Sequence, residues 1–119
     1  AEDIATIIDA SDWAFMAEEK PPEVAAAFNT QIMTHIANAL QNASQKNSKL
    51  KYVLLSAHDI TVAGTLSYLG APLDKVPPYA AHIHFGLYES DANHFTVKVI
   101  YNGNPVTIPG CGGTVCELE

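Results

Sequence analysis

Three stretches of the chain predict an α/β fold. Tyr52, Val53, Leu54 and Leu55 are consecutive apolar residues with no polar alternation, the pattern of a strand covered on both faces. Val24, Phe28, Ile32, Ile36 and Leu40 recur at every fourth position, which is one apolar stripe along a helix. Phe95, Val97, Val99 and Tyr101 alternate with Thr96, Lys98 and Ile100, the period of a strand.

In chain order, Ile4, Ile7 and Ile8 stand at helical spacing, so a first helix is expected within Ala1 to Glu19, ending between Ala10 and Glu19. Trp13 and Phe15 beside that stripe read as core or interface packing, with a ligand platform as the rival. Lys20, Pro21 and Pro22 break the pattern, and Pro22 with Glu23 suits the first turn of a second helix. That helix runs from Glu23 to roughly Ala43, with Met33 and Ala37 widening its stripe. Asn29, Gln31, Thr34, Asn38 and Gln41 form its polar face, and His35 beside the stripe reads as a structural histidine before a ligand. Asn42, Ala43 and Ser44 make a glycosylation sequon at the helix end.

Beyond Asp59, Val62, Leu66 and Leu69 describe a short helix closed by Gly70 and Pro72, and small Ala63, Gly64 and Thr65 let it approach neighbouring backbone closely. Val76, Pro77 and Pro78 force an extended approach to a hairpin of Ala81 to Tyr88 and Phe95 to Tyr101, with turn formers at Ser90, Asp91, Ala92 and Asn93. His82 and His84 would share one strand face, a spacing that can bind metal, although no third ligand is identifiable. Asn102 to Pro105 turn the chain again, and Val106 to Ile108 add a short edge segment.

The 119 residues suit one modest domain, and a net charge of −7 argues against nucleic-acid or anionic-membrane binding, which want a basic face. No apolar run reaches membrane-spanning length. Cys111 and Cys116 enclose two glycines in a tight loop, which predicts a local disulfide and an oxidising compartment. Half a zinc site competes with that reading, but no second cysteine pair exists.

The chemistry concentrates where the Tyr52 to Leu55 run meets the next helix, at Ser56, Ala57, His58, Asp59 and Thr61. Strand ends and helix starts suit anions, and an imidazole beside a carboxylic acid could contact a phosphate and protonate a leaving group. A structural alternative is a helix cap, in which Asp59 or Thr61 accepts backbone N–H groups while His58 packs.

SAHDITVAG at this junction resembles the His-Asp motif of the histidine acid phosphatases, the two-motif branch of the histidine phosphatase superfamily. The similarity continues through PPYA at Pro77 to Ala80, GLY at Gly86 to Tyr88 and IPGC at Ile108 to Cys111, covering most of residues 24 to 119. It implies a single partial domain over residues 1–119: the carboxyl-terminal portion of a phosphoglycerate-mutase-like, three-layer fold with helices flanking a mixed sheet. The implied reaction is hydrolysis of phosphomonoesters through a phosphohistidine, without metal or cofactor. His58 would contact the phosphoryl oxygens, and Asp59 would be the general acid. Aspartates ordinarily titrate near about 3.9, so an acidic working pH would keep such a donor protonated.

The family's Arg-His-Gly motif, which carries the nucleophile, is missing, and the chain contains no arginine at all. Lysine is a poor substitute in a bidentate role. The expectation is therefore that an amino-terminal segment of the same gene product, carrying a strand beside the Tyr52 to Leu55 run, completes the enzyme; a homodimer stays open. Many relatives also carry a glutamate just before the Leu-aromatic pair, where this chain has Gly86. The expected location is extracytoplasmic, secreted or lysosomal. Two rivals remain: a non-catalytic module of the same fold, and the metal-dependent phosphohydrolases also named for a His-Asp pair.

Overall fold

The computed structural model describes residues 2–90 and 94–118. Three helices come first, α1 (Glu2–Glu19), α2 (Pro22–Ser44) and α3 (Asp59–Tyr68). Strands β1 (Ile83–Ser90), β2 (His94–Tyr101) and β3 (Asn104–Pro105), a 3-10 turn at Pro109–Cys111 and β4 (Cys116–Glu117) follow. The α/β class stands, and all pairings among the described residues are antiparallel.

Helix boundaries follow local chemistry. α1 continues to Glu19, the far end of the expected range, and Pro21 then takes an extended conformation before Pro22 opens α2. Proline costs nothing there, since first-turn N–H groups have no partner within the helix anyway. α3 stops at a Schellman arrangement: Gly70 has φ +77°, its N–H donates to Ser67 O at 3.0 Å, and Ala71 N–H donates to Leu66 O at 2.9 Å.

The small triplet does bring α3 close to α2, and the neighbour is unexpected. Asn29, assigned to the polar face, is only 4% exposed, and its amide donates to Ala25 O at 3.1 Å. A Cβ on Gly64 would lie 2.9 Å from Asn29 Cγ. Phe28, expected in the apolar stripe, is instead 80% exposed. The buried apolar residues are Met16, Ala25, Ala63 and Leu66 among the helices, and Val97, Val99 and Ile108 around the sheet.

β1 and β2 form the antiparallel hairpin that the alternation predicts, paired from Ile83 opposite Tyr101 to Ser90 opposite His94. Of the expected turn formers, 91–93 lie outside the described residues. β3 and β4 both occupy the other edge of β2. Asn102 and Gly103 have φ of 47° and 83°, so they form the tight two-residue turn that returns the chain to Pro105. The edge segment thus begins earlier than Val106 to Ile108, although Val106 N–H still donates to Val99 O at 2.9 Å. Gly86 lies opposite Lys98, and the Tyr88 ring folds over it, 2.9 Å from where a Cβ would be. Lys98 Nζ stands 4.9 Å from the centre of that ring, at cation–π range.

Residues 52–55 correct an expectation. They lie outside every described strand, with Tyr52 and Leu54 about three-quarters exposed at 76% and 74%. An apolar run becomes a strand only where another strand offers ladder partners, and none of the described strands does. Trp13 and Ile4, Ile7 and Ile8 are exposed, so Trp13 does not pack in the core, one of the two placements expected for it, while Phe15 is half-buried. The radius of gyration is 16.2 Å, against about 13.5 Å for a self-contained globule of this length.

Candidate active site

His58 is the N-cap of α3, with φ −109° and ψ 169°, and Asp59 is the first helical residue. His58 O accepts from the N–H groups of Thr61 and Val62, both at 3.1 Å, which starts the helix. Thr61 Oγ1 accepts the His58 N–H at 3.4 Å and so ties the cap back to the first turn. Asp59 Oδ1 accepts the Ile60 N–H at 2.8 Å. The capping chemistry is therefore real, but His58 does not pack: both His58 and Asp59 are exposed. A carboxylate in the first turn also sits favourably at the positive end of the helix dipole.

The carboxyl end of α1 adds a group that the sequence did not single out. Burial pushes the Glu19 carboxyl above the usual carboxylate range, and the negative charges of Glu18 and Asp59 push it further. Glu19 is therefore an electrostatic neighbour of Asp59. Lys20 braces this end of α1 through an ion pair of 2.9 Å to Asp74, in the loop after α3. On another side of this helix end, between it, α2, Leu55 and the start of α3, runs a groove of about 980 Å³. Phe28, Ile32, Leu55 and Ile60 line its apolar side, and Glu19 and His35 line its polar side. Spacing alone could not bring Glu19 to this groove, because it reaches α3 only through the packing of two separate helices.

The remaining candidates lie elsewhere. His82 and His84 are both exposed, but only His84 lies in β1, so the strand face expected to be shared does not include His82, whose N–H donates to Asn102 Oδ1 at 2.9 Å. Among the described residues no three His, Cys, Asp or Glu side chains gather to hold a metal. Cys111 and Cys116 are joined in a disulfide with Cα atoms 5.4 Å apart. Beside it β4 pairs with β2, Leu118 N–H donates to Phe95 O at 3.0 Å, and His94 Nε2 lies 2.9 Å from Glu117 Oε2. No described helix is long and apolar enough to cross a membrane.

An exposed imidazole and carboxyl thus stand together at the start of α3, beside an open groove. The family model for the histidine phosphatase superfamily (branch 2) matches residues 17–102, and the chain belongs to that family. It is 32% identical to the prostatic acid phosphatase of Bos taurus over 85 residues, which is 67% of this chain and 22% of that protein. It is 33% identical to 2-phosphoxylose phosphatase 1 of Homo sapiens over 79 residues, 64% of this chain and 16% of that protein. Counting factor 60 of Dictyostelium discoideum matches 98% of this chain at 23% identity, and the match spans 28% of that protein. The chain thus spans between about a sixth and just over a quarter of the curated relatives it matches.

Proposed function

We propose that this chain supplies the phosphate-contacting histidine and the general acid of an acid phosphatase that hydrolyses phosphomonoesters. His58 donates to a phosphoryl oxygen, where charge accumulates as the phosphoryl group transfers. Asp59 delivers a proton to the departing ester oxygen, so that a neutral alcohol leaves in place of an alkoxide. The nucleophilic histidine, which becomes phosphorylated and is then hydrolysed, comes from an amino-terminal segment of the same protein. That segment also supplies the guanidinium groups that this chain lacks.

The observation that carries the reading is the open surface beside the His58-Asp59 cap. Tyr52, Leu54, Phe28 and Ile60 are exposed together with unpaired backbone at residues 52–55, and such a surface suits a neighbouring strand and its side chains. The expanded radius of gyration supports the same view of residues 1–119 as one partial domain. The Cys111–Cys116 disulfide supports an extracytoplasmic location.

Asp59→Asn in the complete enzyme tests the acid. Turnover of esters with poor leaving groups is expected to fall about 10²- to 10⁴-fold, while esters of acidic phenols lose far less. An equal loss for both classes defeats the assignment. A second reading, a non-catalytic module, draws on the absence of Arg-His-Gly from the chain. Phosphatase activity of the complete protein excludes it, and turnover by residues 1–119 alone would overturn the division of labour proposed here.

A further inference from the structure

We propose that Asn42 is an N-glycosylation site, carrying an oligosaccharide on its side-chain amide. Asn42-Ala43-Ser44 is the only Asn-x-Ser/Thr triplet in the 119 residues, and its middle residue is not proline. The structure gives this triplet the context that the motif requires. Asn42 is exposed on the last turn of α2, Ser44 is the final helical residue, and Gln45 leaves the helix in an extended conformation toward a surface bend.

The helix end is also easy to open. Asn42 and Ser44 are weak helix formers, and no basic residue in the last turn offsets the negative end of the dipole. Gln45 N–H reaches Asn42 O only at 3.3 Å. In the folded chain Ser44 Oγ donates to Gln41 O at 2.8 Å, so the hydroxyl that a transferase must recognise is already engaged. Modification therefore precedes closure of this turn, during synthesis, and the finished helix end keeps the glycan on its solvent side.

A second observation concerns compartment. The Cys111–Cys116 disulfide needs the oxidising environment in which oligosaccharide transfer also takes place. The donor is a lipid pyrophosphate-linked oligosaccharide. The bond between the sugar's anomeric carbon and phosphate oxygen breaks, a bond from that carbon to Asn42 Nδ2 forms, and the amide proton leaves as lipid pyrophosphate departs. Asn42 lies outside the groove lining, about 10 Å along the helix axis beyond His35.

The test is peptide mapping of the longest natural product containing this chain, secreted from a eukaryotic host and recovered from the medium. The expected result is a glycopeptide spanning Asn42 that peptide-N-glycosidase releases, leaving position 42 deamidated. Asn42→Gln and, independently, Ser44→Ala should each remove the glycan, while Ser44→Thr retains it. An unmodified Asn42 peptide from the secreted protein overturns the proposal, as does a glycan that survives both substitutions.

Discussion

The helical and sheet regions of this chain differ in how fully they satisfy themselves. In the sheet, β2 is paired on both edges, a tight Asn-Gly turn returns the chain, and a disulfide holds the loop that precedes β4, while β1 keeps one open edge among the described residues. The helices and the segment before α3 leave apolar side chains open: Phe28, Tyr52, Leu54 and Ile60 are exposed, as are His58 and Asp59, to which the chemistry is assigned by proposal.

Substitutions can break that contrast. The largest expected effect is on catalysis without a matching effect on stability: His58→Ala in the complete enzyme should cost on the order of 10²-fold or more in kcat/KM, because an exposed cap side chain holds no core together. A comparable drop in the urea midpoint would show that His58 is mainly structural. Gly64→Ala should do the reverse. Its new methyl group meets buried Asn29, and overpacking of this kind costs about 1–3 kcal/mol, offset by roughly 1 kcal/mol of helix propensity. Asn29→Ala should relieve the added strain, and a double-mutant cycle in urea measures the coupling.

Within the sheet, Cys111→Ser with Cys116→Ser should cost at most about 2 kcal/mol, because so short a loop removes little chain entropy. Faster hydrogen exchange confined to the Leu118 amide and its neighbours would locate the loss in β4. The smallest effect belongs to Glu19→Gln. The folded chain holds the Glu19 proton more tightly than the unfolded chain does, so a penalty on folding develops as pH rises through the raised value and is absent in acid. Removing the charge should therefore stabilise the protein at neutral pH by on the order of a few tenths of a kcal/mol. The gain should vanish below the ordinary carboxylate range, which paired urea titrations at two pH values can check.

Local patterns were readable wherever the partner was close in sequence. The α3 stop at Gly70, the β1–β2 hairpin and the Cys111–Cys116 bond all follow from neighbours only a few residues away along the chain or across one turn. Side-chain burial was less legible. The α2 stripe describes which face turns toward the core of a whole protein, so Phe28 reads as buried although nothing described covers it. Asn29 looked solvent-facing because polarity stood in for position; only the missing side chain at Gly64 explains how an amide fits beneath α3. The residue run 52–55 has the composition of a strand and no ladder to join, and β4 is too short for any periodicity to reveal. His58 and Asp59 were visible as a pair, whereas their acidic neighbour Glu19 depended on tertiary packing.

Gly86 carries one more consequence. The space that a side chain would occupy is taken by the ring of Tyr88, with the ammonium of Lys98 resting near it. Grafting a glutamate onto this position, to imitate relatives, would have to evict an aromatic ring before its carboxylate reached anything. An exchange at the glycine therefore depends on whether the outer part of the half-exposed Tyr88 ring swings aside.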